Sequence, residues 1–187
     1  MGRVPDPLVE TFLDRAGLER SDGVRGVVDA LRAVPYGRPE PRTDEGLVKQ
    51  WKGTCSTKHS LLVRCLRELA SESNPRLVHR VYRVTREGAT DRFGAVAAAA
   101  VPPGGLVDVH TYAVVTLGGR DVVIDVTFPG PSWDGVSDMP IAAADGEDHP
   151  AGADPNATKA ALVQAHCDPA VREPFIAALE RSGSVPV

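Results

Sequence analysis

The spacing of apolar positions changes twice along the chain, dividing it into a helical part, a strand part and a second helical part. Leu8, Phe12 and Leu13 fall at helical spacing and predict a short helix over residues 7–17. Val24, Val27, Val28 and Leu31 predict a second helix over residues 23–33, with Ser21 ahead of it as a cap. Pro35-Tyr36-Gly37-Arg38-Pro39 forces a turn. Thr43 then opens a third short helix that carries Val48 and Trp51 up to a break at Gly53. From residue 56 to 70 Leu62, Leu66 and Leu69 recur with no Gly or Pro, which predicts a fourth helix with Thr54 as its N-cap.

Beyond this point the period shortens. Residues 76–86, rich in Val, Tyr and Arg, suit a strand, and residues 106–117 and 120–128 alternate around Gly118-Gly119, a strong two-residue hairpin signal. If these glycines form the loop, Leu117 pairs with Arg120 and Tyr112 opposes Asp125. His110 and Asp125 are then diagonal neighbours on one face, and a slip of one residue would part them. Residues 129–156, rich in Pro, Gly and Asp, read as an extended loop over the surface, followed by helices at 157–165 and 169–182. Helices, then antiparallel strands, then helices indicate an α+β fold with helices packed against an antiparallel sheet.

The 187 residues suffice for one domain with a real core and are short for two. Hydrophobic residues at 42% and charged residues at 25% are ordinary for a globular chain. A formal net charge of −4 with no basic cluster gives no reason to expect nucleic acid or an anionic membrane as partner. The longest apolar run, residues 95–101, is far too short to cross a bilayer. Residues 1–10 hold no apolar signal core, and Asp6 leaves the myristoylation pattern after Gly2 unmet. Three cysteines do not make a disulfide framework, so a reducing cytoplasm is the expected setting. Oligomeric state is not legible.

The chemistry centres on Cys55, within Trp51-Lys52-Gly53-Thr54-Cys55-Ser56-Thr57-Lys58-His59. At a helix start, unpaired backbone N–H groups and the helix dipole stabilise an anion and lower a thiol pKa, and the thiolate is the reactive form. Lys58, one turn on, is expected to act in the same direction. A thiol followed by a histidine and an aspartate on adjacent strands suits nucleophilic acyl chemistry: thiolate attack on a carbonyl, protonation of the leaving group by imidazole, and a carboxylate that orients the ring. The backbone N–H of Cys55 is a candidate oxyanion donor.

Gly53-Thr54-Cys55, then His110 on a strand, then Asp125 ahead of Val126-Thr127-Phe128-Pro129, resembles the transglutaminase-like branch of the papain-type cysteine enzymes over residues 43–130. The resemblance implies a core helix carrying the nucleophile Cys55, with the base His110 and the orienting acid Asp125 on neighbouring antiparallel strands. It implies no metal and no cofactor, and a peptide, protein or small amide as substrate. The branch holds transamidases, peptidases, amidases and inactive members, so a non-catalytic module that binds a peptide or protein in its groove is the alternative. The strand after His110 reads Thr111-Tyr112-Ala113-Val114, where the family often has an aromatic-rich run.

Trp51, His59, Tyr112 and Trp133 are the candidates for substrate contacts, with packing the competing role for the two tryptophans. Cys55 and His59, four residues apart, also suggest a metal pair, but further ligands are missing nearby. Asp108 shares a strand face with His110 and ranks second as its orienter. Cys65 and Cys167 read as packing residues, and His79 and His149 carry no partner signal.

Overall fold

A computed structural model describes residues 4–182; the Gly2 pattern and the last residues of the chain lie outside the described range. The four expected N-terminal helices are α1 (Pro7–Ala16), α2 (Gly23–Ala33), α3 (Asp44–Gln50) and α4 (Cys55–Leu69). Their ends follow local chemistry. Asp6 Oδ1 accepts the Leu8 N–H at 2.9 Å to start α1, and Thr43 Oγ1 accepts the Gly46 N–H at 3.2 Å to start α3. Then come β1 (Arg76–Val84), α5 (Arg86–Ala99), β2 (Leu106–Leu117), β3 (Arg120–Ile124), β4 (Gly146–Pro150), α6 (Pro155–His166) and α7 (Pro169–Ser182). The fold is α+β.

The sheet runs β3-β2-β1-β4, with every neighbouring pair antiparallel. Gly118 and Gly119, at φ 57° and 80°, form the tight turn between β2 and β3, which few other residues would enter without strain. Leu117 faces Arg120 and Ala113 faces Ile124, so the hairpin has the register read from the sequence.

Three elements depart from the expectation. Strand β3 ends at Ile124 instead of running to 128, so Asp125 lies just past it. Helix α5 buries Ala89, Phe93, Ala97 and Ala98, a stripe at helical spacing whose alanines do not stand out in an Ala/Gly-rich stretch; it bends at Gly94. Strand β4 lies inside the stretch expected to be loop. Its sequence Gly-Glu-Asp-His-Pro is polar and mostly exposed, because an edge strand can be held by backbone pairing alone, here to β1.

Apolar side chains form two clusters. One joins α1–α4 to β2 and β3 through Phe12, Leu31, Leu47, Leu62, Val115 and Ile124. The other joins α5 and α7 to the far ends of β1 and β2 through Tyr82, Val84, Phe93, Leu106 and Phe175. A set of buried polar residues lies beside these clusters: Thr57, Lys58 and His59 on α4, His79 on β1, Asp108, His110 and Thr111 on β2, and Asp125 and Thr127 after β3. Burying so many polar groups is costly unless each is paired. Among the described residues no helix is long and apolar enough to cross a membrane.

Candidate active site

Cys55 is the first residue of α4. The turn before α3 sets its position: Gly53 N–H donates to Pro35 O at 3.0 Å, and Gly37 N–H to Gly53 O at 3.2 Å. A Cβ on Gly53 would lie 2.6 Å from Leu47 Cδ1 and 2.7 Å from Lys58 Cγ, so only glycine lets the chain pass this closely. Thr54 is extended, as an N-cap residue must be, and its N–H donates to Thr57 Oγ1 at 3.0 Å. The Cys55 N–H therefore belongs to the first turn of α4, whose donors have no partner within the helix.

His110 Nε2 donates to Asp125 Oδ2 at 2.7 Å across the β2–β3 hairpin. The other ring nitrogen, Nδ1, is free of Asp125, and the imidazole lies near enough to the Cys55 thiol for the two to shift each other's ionisation. Asp125 takes two further donors: Ala142 N–H on Oδ2 at 2.8 Å and Thr127 N–H on Oδ1 at 2.9 Å. The ring is 4% exposed and the carboxylate residue 5%, so the pair is sheltered from water.

Electrostatics follow from this packing. Burial would drive the Cys55 thiol upward, but the Lys159 ammonium and then His110 outweigh it and bring its pKa down to about 6. Burial would likewise discharge His110, yet the Asp125 charge and hydrogen bond raise it to about 10. Asp125 is held well below the usual carboxylate range: burial opposes this, and His110 and the donated hydrogen bonds prevail. At neutral pH the three groups are thus thiolate, imidazolium and carboxylate.

The cation beside the sulfur is one the sequence reading missed. Lys159 on α6 donates from Nζ to Cys55 Sγ at 3.2 Å, to Ser56 Oγ at 2.8 Å and to Thr111 Oγ1 at 3.0 Å. No local pattern marks this lysine, since it lies 104 residues from Cys55 on a helix with no buried face. Lys58, expected to serve the thiol, is fully buried and donates to Val34 O at 2.7 Å and Thr127 O at 2.9 Å, fastening α2 to the Asp125 segment. Burial pulls its ammonium down to about 7.

None of the four expected substrate contacts lines the cleft beside the thiol, which has a volume of about 710 Å³. His59 is fully buried and accepts the Val126 N–H on Nε2 at 3.0 Å, so its proton sits on Nδ1, donated to Cys55 O at 2.7 Å. With its one lone pair accepting and its one N–H donated, it has no free ring nitrogen for a substrate or a metal. Trp51 stacks on Phe12 at 5.9 Å and lies under Arg15. Trp133 is a core residue whose Nε1–H donates to Ser137 O at 2.7 Å. Tyr112 is buried beside Arg80. The apolar character that marked these aromatics is used in packing.

The cleft walls come instead from α3, α6, α7 and the Tyr36–Arg38 turn, and mix cations with acids: Arg38, Arg42 and Arg172 against Asp44, Glu45 and Glu173. Asp108 accepts from Arg172 Nε at 2.7 Å, which commits it elsewhere and leaves Asp125 as the partner of His110. Of residues 129–156 only Asn156 reaches the cleft; Asp138 and Met139 hold to β3, with Met139 N–H on Val123 O at 2.9 Å and Asp138 Oδ1 accepting Val123 N–H at 2.8 Å, and 146–150 pair with β1. A larger cavity, about 870 Å³ around Arg64 and Arg76, contains none of the three groups. Cys65 is wholly buried, its thiol pushed up to about 12 by burial, as befits packing.

His59 has a consequence for stability. Burial lowers its pKa to about 4, so on acidification the unfolded chain takes up this proton near pH 6.5 and the native state only near pH 4. Between those values the unfolded state binds more protons and stability falls with pH, by on the order of 2 kcal/mol at pH 5. His79, also lowered to about 4 by burial, acts in the same direction. Asp125 adds its loss only below about pH 4. Urea midpoints are expected to drop between about pH 7.5 and pH 5; a flat profile would show that His59 is not held neutral.

Compared with models of known protein families and with curated proteins, the chain finds no match.

Proposed function

We propose that this chain is a thiol-dependent acyl-transfer or amide-hydrolysing enzyme with a transglutaminase-like core, acting through a thioester on Cys55. The observation that carries the reading is a thiol at a helix start that accepts from Lys159 and lies near His110, an imidazole whose Nε2 is fixed by Asp125 at 2.7 Å. The acyl donor is a peptide, a protein or a small amide with polar surroundings, matching the mixed charges of the cleft.

In the acylation step the Cys55 thiolate adds to the carbonyl carbon. The C–N bond then breaks, and the leaving amine takes the proton from His110 Nδ1. Asp125 keeps the second ring proton on Nε2 and stabilises the imidazolium without taking that proton. For deacylation the neutral ring removes a proton from water or an acceptor amine, which attacks the thioester and restores the thiolate.

The test is intact mass spectrometry after exposure to p-nitrophenyl acetate. One acetyl group is expected on Cys55, labile to hydroxylamine and absent from Cys55→Ala. No adduct on the native chain, or the same adduct yield with Cys55→Ala, would reject the reading and favour a groove that only binds.

A further inference from the structure

We propose that Lys159 is a further catalytic residue, whose ammonium donates to the thiolate at rest and to the carbonyl oxygen of the acyl donor during attack. The inference rests on the thioester reading of Cys55 and adds a charge-following donor to it. Three observations support it.

First, the ammonium has three N–H bonds and all three are directed at the reaction centre: Cys55 Sγ at 3.2 Å, Ser56 Oγ at 2.8 Å and Thr111 Oγ1 at 3.0 Å. Second, its position is imposed by a chain of buried polar groups. His79 Nε2 donates to Pro155 O at 2.9 Å, an acceptor with no hydrogen of its own. His79 Nδ1 is then unprotonated, accepts the Thr111 hydroxyl at 3.0 Å, and so turns the lone pairs of Thr111 Oγ1 toward Lys159. Pro155 is the first residue of α6, the helix that bears Lys159. The network thus closes on itself, and buried His79 stays neutral, as its lowered pKa requires. Third, Lys159 lines the cleft with Cys55, on the side a substrate must enter.

The charge moves a short way. As a sulfur electron pair forms the S–C bond, the carbonyl π pair passes to oxygen, which lies two bonds from the sulfur. A donor already 3.2 Å from that sulfur needs only side-chain rotation to meet it. The Cys55 N–H supplies the second donor. When the C–N bond breaks, the oxygen pair returns to the carbonyl, His110 gives its proton to the amine, and Lys159 keeps all of its own. His79 and Thr111 act only through Lys159 and are positioning residues.

The test separates ionisation of the thiol from stabilisation of the oxyanion. Iodoacetamide alkylates the thiolate without forming an oxyanion; p-nitrophenyl acetate acylates it through one. Both rates are measured against pH on the full chain and on Lys159→Met and Lys159→Arg, and compared at the high-pH plateau of each protein. For Lys159→Met the expectation is a nearly unchanged alkylation plateau and an acylation plateau lower on the order of 100-fold, the loss typical of one oxyanion donor. Lys159→Arg, which keeps the charge, is expected to regain most of it. Equal changes in both plateaus would overturn the proposal, as would a hydroxylamine-resistant acetyl group on Lys159, which would make it an acceptor. If instead the native chain gives no acylation burst, the thioester reading itself fails; a burst indifferent to Lys159 rejects only the present assignment.

Discussion

Turnover of p-nitrophenyl acetate is expected to fall on the order of 10³-fold in His110→Ala, near the middle of the range for loss of a positioned acid–base group. The imidazole has two duties here. In the proposed reaction it supplies the leaving-group proton and later draws one from the acceptor, and neither duty would pass to a neighbour: His59 is committed to Val126 and Cys55 O, and Lys159 is proposed to keep its proton. It also helps ionise the thiol. The midpoint of iodoacetamide alkylation is expected at about 6 in the native chain and higher by about one to two units in the variant, the usual effect of removing an adjacent opposite charge. It stops short of the free-thiol value of about 8.5 because Lys159 remains beside the sulfur. An unmoved midpoint with unchanged turnover would mean that the ring and the sulfur do not act together.

Asp125→Asn is expected to cost acylation on the order of 10³-fold at neutral pH, by analogy with neutralising the orienting acid of other triads. The carboxylate accepts three hydrogen bonds, from His110 Nε2, Ala142 N–H and Thr127 N–H. An amide has one oxygen. Turned toward His110 and Ala142, it abandons the Thr127 N–H; turned the other way, it sets its own N–H groups against two donors. The first arrangement keeps the ring in place and leaves one buried donor unpaired, a destabilisation of about 1–3 kcal/mol. The imidazolium then keeps only the thiolate as counter-charge, so its pKa falls and the thiol's rises. Asp108→Asn, which breaks only the pair with Arg172, is expected to leave the acylation rate at the native order of magnitude. The reverse ranking of the two variants in burst kinetics would transfer the orienting role to Asp108.

Much of this arrangement is legible in the sequence because its determinants are local. The Thr54 cap precedes a run of leucines free of Gly and Pro, and α4 begins at Cys55 as a result. Two glycines set the hairpin register, and the register makes His110 and Asp125 neighbours. What escaped depends on distant partners. Lys159 and His79 look like isolated polar residues until α6 lies across β1 and β2. Strand β4 has no strand-like composition, only an exposed sheet edge to pair with. The four aromatic and histidine candidates for substrate contact lie outside the cleft lining for one reason: large rings near a reactive thiol are as useful for filling the core as for walling a pocket, and spacing alone does not distinguish the two.

His59 spans the gap between the carbonyl of Cys55 and the amide of Val126, next to Asp125. A single imidazole thus acts as a spacer of fixed length between the element that carries the attacking atom and the one that carries the orienting acid. Parts of the pocket wall, such as Arg172 and Ile176 on α7 and Arg42 ahead of α3, are attached to other segments. On the thioester proposal, the wall is free to be recut for different acyl groups while the spacing of Cys55 and Asp125 stays constant, a division of labour that would allow one scaffold to change its clientele without retuning its chemistry.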